Sequence, residues 1–209
     1  MMLGAPGAGK GTQAERVARE RRVPRISTGE ILREAVSQGN ELGKAARAVM
    51  DAGRLVADEK MIDVIRERLR QPDAAGGYVL DGFPRTVPQA EALDGLVDGA
   101  GSLIVVDIEV PEDTLVRRLS TRMICGTCGT LARPTDKVCG KCGGALVQRT
   151  DDSDDVVRER LQVYARDTQP IVEFYRVRPT FRSVDGDQTA EAVAADIAAA
   201  LASVTGGRS

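Results

Sequence analysis

The sequence contains no histidine and no tryptophan, and its aromatic residues are limited to three phenylalanines and three tyrosines among 209 residues. The absence of histidine excludes Ser-His-Asp triads, histidine metal ligands and acid–base catalysis by an imidazole. The scarcity of aromatic side chains means that the core must be aliphatic. Basic and acidic residues nearly balance, at 29 and 31, so charge gives no general argument for binding nucleic acid or an anionic membrane.

Long apolar runs are also missing, since no stretch approaches the roughly 20 residues that a transmembrane helix needs. The first residues, Met-Met-Leu-Gly, lack the basic and apolar regions of a signal peptide. The sequence therefore predicts a cytoplasmic protein with no membrane partner. Its length suits one substantial core with small insertions.

Residues 4–12, with the sequence GAPGAGKGT, have the spacing of a phosphate-binding P-loop: a glycine, four residues, Gly9 and Lys10. The glycines allow backbone conformations in which several N–H groups converge on one anion, and Lys10 adds a positive charge. A helical apolar pattern follows, so the loop ends at a helix N-terminus, which favours phosphate. Gly11 follows the lysine and displaces the usual hydroxyl residue to Thr12. The alternative is a glycine-rich turn without a ligand.

Five apolar stretches predict strands, and these stretches are residues 1–4, 24–27, 77–81, 103–110 and 181–185. The first is short for a central parallel strand. Because helical patterns alternate with the strands, we expect an α/β fold with a doubly wound, five-stranded parallel sheet. Asp81 then lies at the carboxyl end of the third strand, and ligands bind at the carboxyl ends of the strands in such folds.

Local signals predict where several helices begin and end. Ser27 and Glu30 have capping-box spacing and should open a helix, which Gly39 should interrupt. The acidic run at residues 151–155 is interpreted as a helix N-terminus with solvated charge, and Pro170 should kink or divide the helix that follows. The Gly-Gly-Arg-Ser tail should fray.

All four cysteines lie in two C-x₂-C pairs that ten residues separate, and the pairs are Cys125 with Cys128 and Cys139 with Cys142. This spacing suits a tetrahedral Cys₄ zinc site, which would be structural because no coordination position stays open. An insertion of about thirty residues cannot hold its shape without such help. The alternatives are two disulfides or reduced cysteines without metal. A zinc ribbon also raises the alternative of a module that binds nucleic acid, although the insertion lacks aromatic residues for base stacking.

Five arginines lie around this insertion and its ends, and they are Arg85, Arg118, Arg122, Arg149 and Arg160. Each alone could be a surface or ion-pair residue. Together with the P-loop they predict a phosphate clamp, since guanidinium forks match phosphoryl oxygens. Phosphoryl transfer depends on positioning and electrostatics more than on a strong base, which suits a chain without histidine.

Five motifs stand in one order: GAPGAGKGT at residues 4–12, STGE at 27–30, RLVAD at 54–58, DGFPRTVPQ at 81–89 and RTDD at 149–152. With the cysteine pairs, the whole chain resembles the long-lid, zinc-binding bacterial type of adenylate kinase. The resemblance implies the reaction ATP + AMP ⇌ 2 ADP, with Mg²⁺ accompanying ATP and a structural Zn²⁺. It also implies a P-loop core (residues 1–26, 57–120 and 153–209) that carries an inserted helical AMP-binding lobe (27–56) and an inserted Cys₄ zinc lid (121–152). ATP and AMP are then the expected partners of a monomer that binds no nucleic acid.

The family's site residues carry over to matching positions of this chain. The ATP contacts would be Gly7, Ala8, Gly9, Lys10, Gly11, Thr12, Arg118 and Gln188, with Lys10 on the transferring phosphate and Gln188 near the base. The AMP contacts would be Thr28, Arg33, Arg54, Leu55, Val56, Gly82, Phe83, Pro84, Arg85, Gln89, Arg149 and Arg160, with Gln89 on the adenine edge. The catalytic set would be Lys10, Asp81, Arg85, Arg118, Arg122, Arg149 and Arg160, with Asp81 orienting magnesium through water.

Three features depart from the family pattern. Ten residues between the cysteine pairs are fewer than its zinc lids lead us to expect. Leu131 and Ala132 stand where polar or aromatic lid residues are expected beside the ATP base, and the first strand is short. The alternative functions are a kinase of UMP or CMP and a nucleotide-dependent zinc-ribbon module that binds nucleic acid.

Overall fold

The computed structural model describes residues 1–98, 102–133 and 135–205, and the tail that is predicted to fray lies outside them. The strands are β1 (Met2–Leu3), β2 (Arg25–Ser27), β3 (Val79–Asp81), β4 (Val105–Glu109), β5 (Met123–Cys125), β6 (Leu146–Gln148) and β7 (Phe181–Asp185). The α-helices are α1 (Lys10–Arg21), α2 (Thr28–Gln38), α3 (Glu41–Asp51), α4 (Asp58–Leu69), α5 (Val87–Val97), α6 (Glu112–Ser120), α7 (Asp154–Val163), α8 (Gln169–Arg176) and α9 (Ala190–Thr205). Short 3₁₀ turns lie at Pro72–Ala74 and Thr150–Asp152.

The central sheet contains five parallel strands in the order β2-β3-β1-β4-β7, which confirms the predicted fold class. The middle strand, β1, has only two residues, and it pairs with both neighbours through Met2↔Asp81 and Leu3↔Asp107. The connections after β1 and β4 lead to opposite edges of the sheet. The loop after β1 therefore lies at the switch point where open α/β sheets bind ligands.

Helices cover both faces of this sheet and build an aliphatic core, as the composition predicts. On one face α1 packs against α9, and Ala14, Ile108 and Ile197 are buried between helix and sheet. On the other face α4, α5 and α8 pack in sequence. Phe83 and Tyr175 are the largest fully buried side chains among the described residues. The Tyr175 hydroxyl donates a hydrogen bond to the Ala90 carbonyl at 3.2 Å, so its polar end is satisfied.

The start of α2 differs from the prediction. Ser27 occupies the N-cap position, but its side chain makes no capping hydrogen bond. Glu30 forms an ion pair with Arg25 and so does not complete a capping box. The predicted capping box is therefore wrong, because a tertiary ion pair takes the carboxylate that the motif needs.

The other predicted helix ends are confirmed. Gly39 ends α2 with a φ of 66°, a conformation that glycine adopts at little cost. Near Pro170, α7 gives way to a π-helical turn at Tyr164–Thr168 before α8 begins. Proline lacks the N–H that a continuous helix would need, so the helix divides there.

The two-helix lobe formed by α2 and α3 depends on close packing at Gly43. A Cβ atom built on this glycine would lie 2.0 Å from the carbonyl oxygen of Ala35. Asn40 opens α3 by accepting a hydrogen bond from the Gly43 amide at 2.9 Å. The backbones of α2 and α3 are thus nearly in contact within the lobe.

The cysteine insertion, residues 121–152, forms its own small sheet. Strands β5 and β6 pair antiparallel in the register Ile124↔Val147, apart from the central sheet. Leu131 and Val138 are 50% and 56% exposed, so the insertion buries little apolar surface of its own. Within the described residues, no helix combines the length and the apolar character needed to span a bilayer.

Candidate active site

The loop between β1 and α1 has the backbone geometry of an anion site. Gly4, Gly7 and Gly9 have φ values of 133°, 87° and 94°, which other residues rarely adopt. A Cβ on Gly7 would lie 3.0 Å from the Leu119 side chain, so α6 fixes this part of the loop. No side chain caps the start of α1. Its first N–H groups therefore stay available to an anion.

Lys10 is half-buried in this loop. Its ammonium donates a hydrogen bond to the Ala5 carbonyl at 2.8 Å. Burial lowers the pKa of Lys10 to about 8, although the charge of Asp81 opposes this and Arg85 adds to it. The lysine is thus held next to the loop amides, with a positive charge that an anionic ligand would stabilise.

A cleft extends from the P-loop beneath the two-helix lobe toward α7. It encloses about 1050 Å³ when the open space at its mouth is included, which is enough for a nucleotide. Lys10 lines it, together with every expected AMP position except Phe83, namely Thr28, Arg33, Arg54, Leu55, Val56, Gly82, Pro84, Arg85, Gln89, Arg149 and Arg160. Phe83 is 1% exposed and belongs to the core.

Positive charge dominates the cleft. Asp151 is the only carboxylate among the described residues that line it, against one lysine and five arginines. Burial lowers the pKa of Arg33 and of Arg160 to about 10, and neighbouring arginines add to this effect. Such crowding of cations is unfavourable by itself, and phosphate groups would relieve it.

Part of the acidic run holds these arginines in place, so its interpretation as solvated charge is wrong for Asp151 and Asp152. Arg149 donates to Asp151 Oδ1 at 2.7 Å, and Arg160 donates to Asp152 Oδ1 at 2.8 Å. Although burial alone would raise it, Arg160 and Arg149 hold the pKa of Asp151 below its usual value. The remaining two aspartates are exposed on the first turn of α7, as the interpretation requires.

The protein itself uses both polar ends of Gln89, which is 2% exposed. Its amide nitrogen donates to Asp58 Oδ1 at 2.7 Å, and its amide oxygen accepts from the Arg85 backbone N–H at 2.8 Å. One N–H and one lone pair remain for a ligand. The glutamine thus fixes the Arg85 backbone in addition to lining the cleft.

The side chain of Arg85 is anchored at Gly82. The Gly82 carbonyl accepts hydrogen bonds from Arg85 Nε at 2.8 Å and from the Thr28 hydroxyl at 2.7 Å. The φ of Gly82 is 81°, and a Cβ there would lie 2.9 Å from the Thr28 hydroxyl. Thr168 adds a bond to the Arg85 carbonyl at 2.8 Å, and no local sequence signal points to this threonine.

Several expected site residues lie outside the cleft lining. Arg118 on α6 donates to the Gly186 carbonyl at 2.9 Å, and the exposed Gln188 bonds Asp196, so both lie at the loop after β7. Arg122 pairs with Asp152. The remaining residues are the P-loop positions Gly7, Ala8, Gly9, Gly11 and Thr12, and Asp81 at the end of β3.

Asp81 has a partner that the sequence does not reveal. Its Oδ2 accepts a hydrogen bond from Arg25 Nη1 at 3.0 Å. The two residues are 56 positions apart, and only the pairing of β2 with β3 brings them together. A register assignment for these strands is the one signal that could have identified the pair.

The four cysteines converge in the insertion. Their sulfur atoms all lie within 4.8 Å of one another, and the Cys125–Cys142 and Cys128–Cys139 sulfurs are 3.5 Å apart. A tetrahedral site with Zn–S bonds of about 2.3 Å requires sulfurs about 3.8 Å apart, so this donor set fits zinc. Backbone amides of Thr127 and Lys141 point at Cys125 and Cys139 at 3.3 and 3.4 Å, and such bonds stabilise thiolate ligands.

Comparison with known proteins agrees with this geometry. A family model described as adenylate kinase matches residues 2–180. An adenylate kinase of Archaeoglobus fulgidus is 47% identical over an alignment that covers 96% of each chain. An adenylate kinase of Caldicellulosiruptor bescii is 48% identical over 186 residues, 85% of this chain and 86% of the relative. The chain belongs to the adenylate kinase family.

Membership of the adenylate kinase family makes the chain a nucleoside monophosphate kinase, which is a phosphotransferase. A relative from Rhizobium etli, also named adenylate kinase, is 43% identical over an alignment that covers 96% of this chain and 97% of the relative. The family prediction and the five-stranded P-loop fold are therefore confirmed. The four-cysteine cluster fits the zinc-lid type of adenylate kinase.

Proposed function

We propose that this adenylate kinase transfers a phosphoryl group from ATP, accompanied by Mg²⁺, to AMP and so forms two ADP. The observation that carries the proposal is the single cleft in which the P-loop lysine meets five arginines and one carboxylate. The negative phosphates of two bound nucleotides would be stabilised by these positive side chains. Transfer between them needs aligned phosphates more than a strong base.

The P-loop side of the cleft is the proposed ATP site. The uncapped N–H groups at the start of α1 and the ammonium of Lys10 would bind the β- and γ-phosphates. Gly7, Ala8, Gly9, Gly11 and Thr12 supply this backbone. Arg118 and Gln188, which the loop after β7 brings together, would lie toward the ATP base.

The lobe side is the proposed AMP site. Leu32, Met50, Val56 and Met61 give it an apolar wall, which suits the face of a base. The remaining N–H and lone pair of Gln89 can bind the polar edge of that base. Arg33, Arg54 and Arg85 line the same cleft, and their guanidinium groups would bind the AMP phosphate.

The arginines near the ends of the cysteine insertion would change partners when the phosphates arrive. Arg149 and Arg160 are bound to Asp151 and Asp152, and Arg122 is bound to Asp152. Phosphate oxygens are strong acceptors for the same guanidinium forks. We infer that these arginines are held ready by carboxylates and then reach the transferring phosphoryl group.

The inferred parts are a core (residues 1–26, 57–120 and 153–209), an AMP-binding domain (27–56) and a lid (121–152). Closure of the lid and the AMP-binding domain would exclude water from the cleft, so that AMP and not water accepts the phosphoryl group. The expected state is a cytoplasmic monomer that binds no nucleic acid.

Two metal ions belong to this proposal. Bound Mg²⁺ neutralises charge on the ATP phosphates, and Asp81 is the carboxylate that fits it, since magnesium prefers oxygen ligands. A structural Zn²⁺ would be held by Cys125, Cys128, Cys139 and Cys142. The hydrogen bond from Arg25 holds the Asp81 carboxylate in a fixed position beside the P-loop.

The test is a coupled steady-state assay with ATP, Mg²⁺ and each of AMP, UMP, CMP and GMP. We expect turnover with AMP to exceed that with the other acceptors by orders of magnitude, and a preference for UMP or CMP would favour the pyrimidine alternative. Lys10→Met and Arg85→Ala should each lower kcat by about 10²-fold or more with folding intact. Strong salt-dependent binding of nucleic acid would favour the zinc-ribbon alternative.

A further inference from the structure

One guanidinium, that of Arg25, links three structural elements around the P-loop. Its Nη1 donates to Asp81 at the end of β3, and its Nε lies 3.0 Å from Glu15 Oε2 on α1. Its Nη2 pairs with Glu30 on α2. Although burial lowers it, these carboxylates raise the pKa of Arg25 overall. The arginine is therefore a permanent positive charge at this point.

The pair with Asp81 is the buried part of this network. The side chains of Arg25 and Asp81 are 16% and 12% exposed, whereas those of Glu15 and Glu30 are 65% and 56% exposed. Exposed ion pairs contribute little, because water screens them. The interaction that constrains a side chain is thus the one between Arg25 and Asp81.

The register of β2 and β3 sets the direction from which the arginine arrives. Ser27 pairs with Asp81, and Arg25 lies two residues earlier on the same face of the strand. A Cβ on Gly11 would lie 3.3 Å from Asp81 Oδ2 and 3.5 Å from Arg25 Nη1, so the pair rests on the first turn of α1. A side chain at position 11 would press against this pair.

Asp81 lies between two sets of positive charge. Lys10 and Arg85 line the cleft, and burial lowers the pKa of each while the charge of Asp81 opposes that shift. Arg25 is not among the described residues that line the cleft. Only Oδ2 of the carboxylate has a hydrogen-bond partner within the described chain. The other oxygen is the one that a divalent cation on the nucleotide can use.

We propose that Arg25 is a positioning residue that fixes Asp81 by one oxygen and tunes its attraction for the cation bound to the nucleotide. This inference rests on the proposed function. A carboxylate with one oxygen tied cannot rotate freely, and the adjacent positive charge weakens its hold on a divalent ion. Removal of the arginine should free the side chain and strengthen the charge attraction at the same time.

The test is a double-mutant cycle with Arg25→Gln, Asp81→Asn and the combination, read by kcat and by calorimetry. Arg25→Gln should lower kcat about tenfold, the scale typical of residues that orient metal-binding groups. The ratio of the ATP dissociation constants measured with EDTA and with Mg²⁺ should rise by about the same factor. In the Asp81→Asn background both effects should fall to about twofold or less.

Arg16→Gln is the matched control, because Arg16 lies on α1 in an exposed pair with Glu20, and both readouts should stay at the wild-type value. Equal losses of kcat in both backgrounds, or an EDTA-to-Mg²⁺ ratio that does not rise, would overturn the inference. If Arg25→Gln does not fold, Arg25→Lys replaces it with a split expectation: kcat should still fall because the fork is lost, and the EDTA-to-Mg²⁺ ratio should stay near the wild-type value because the charge is kept. A wild type that lacks turnover would refute the proposed function, and the calorimetric ratio would still decide the role of Arg25.

Discussion

The guanidinium of Arg122 forms two hydrogen bonds with the carboxylate of Asp152, and that carboxylate is completely buried. Arg160 donates to the same aspartate from α7. The residues lie where the cysteine insertion joins the core, so this buried cluster connects the start and the end of the insertion. Removal of the Asp152 carboxylate would leave the charge of Arg122 without its partner.

We expect Asp152→Asn to lower the free energy of unfolding by about 3 kcal/mol, because Arg122 loses its charged partner and Arg160 keeps only Asp151. Urea denaturation monitored by circular dichroism measures this change. The control is Asp154→Asn, which alters an exposed aspartate two residues away and should cost about 1 kcal/mol or less. Equal losses in the two variants would contradict a structural role for the buried pair.

The fold could be predicted because its signals are local. Apolar runs, glycine positions and Pro170 depend on neighbouring residues, and they indicate all five strands of the central sheet. The cysteine pairs likewise carry their spacing within the sequence, and the structure brings their sulfur atoms together. Backbone periodicity was therefore enough for the fold class.

Side-chain partners could not be predicted in the same way, because they depend on which strands and loops become neighbours. Ser27 and Glu30 have capping-box spacing, yet Arg25 takes the glutamate. Asp152 belongs to an acidic run, yet it is buried and accepts hydrogen bonds from Arg122, which is 30 residues away. The sequence contains each of these residues, but only the tertiary arrangement determines their pairs.

A glycine pair tests the packing of the two-helix lobe. Gly43→Ala should destabilise the protein by about 2 kcal/mol and weaken AMP binding, because its Cβ would force α2 and α3 apart. Gly95→Ala, at an exposed position of α5 with open space around it, should stabilise the protein by about 1 kcal/mol. Thermal unfolding and AMP calorimetry measure both variants. Stabilisation by both substitutions would show that the lobe tolerates a wider helix separation.

The depressed pKa of Lys10 predicts a pH dependence for ATP use. Because burial lowers that pKa to about 8, the free protein should lose the ammonium charge above this pH. We expect kcat/KM for ATP to fall about tenfold per pH unit on the alkaline side. Lys10→Arg should move the decline to higher pH, since a guanidinium stays protonated. A flat profile up to about pH 10 in the wild type would exclude this role.

The cysteine cluster predicts a difference between stability and chemistry. Chelation of zinc, or Cys125→Ser, should lower the unfolding temperature by about 5 °C or more, because the insertion has little core of its own. Turnover at low temperature should change much less, since the cysteines lie outside the cleft lining. Elemental analysis of the purified protein provides the control. A wild type without bound metal would contradict the zinc site.

Replacement of Asp107 by a neutral residue should stabilise the protein. It lies in β4 at 4% exposure, and its Oδ1 has no hydrogen-bond partner among the described residues. Burial raises the pKa of Asp107 to about 6, and the charge of Glu109 adds to this while Arg176 and Lys10 oppose it. Buried negative charge that lacks a partner is a cost to the folded state.

The sign of the effect follows from the raised pKa. Between about pH 4 and 6 the folded chain binds more protons at Asp107 than the unfolded chain, so this residue's contribution to stability falls as pH rises and stays low above pH 6. Asp107→Asn removes the cost, and its advantage in the free energy of unfolding should grow from near zero at about pH 4 to as much as about 3 kcal/mol at pH 8. Urea denaturation at the two pH values measures this difference. An advantage of equal size at both would mean that side-chain shape, and not the charge of Asp107, is the cause.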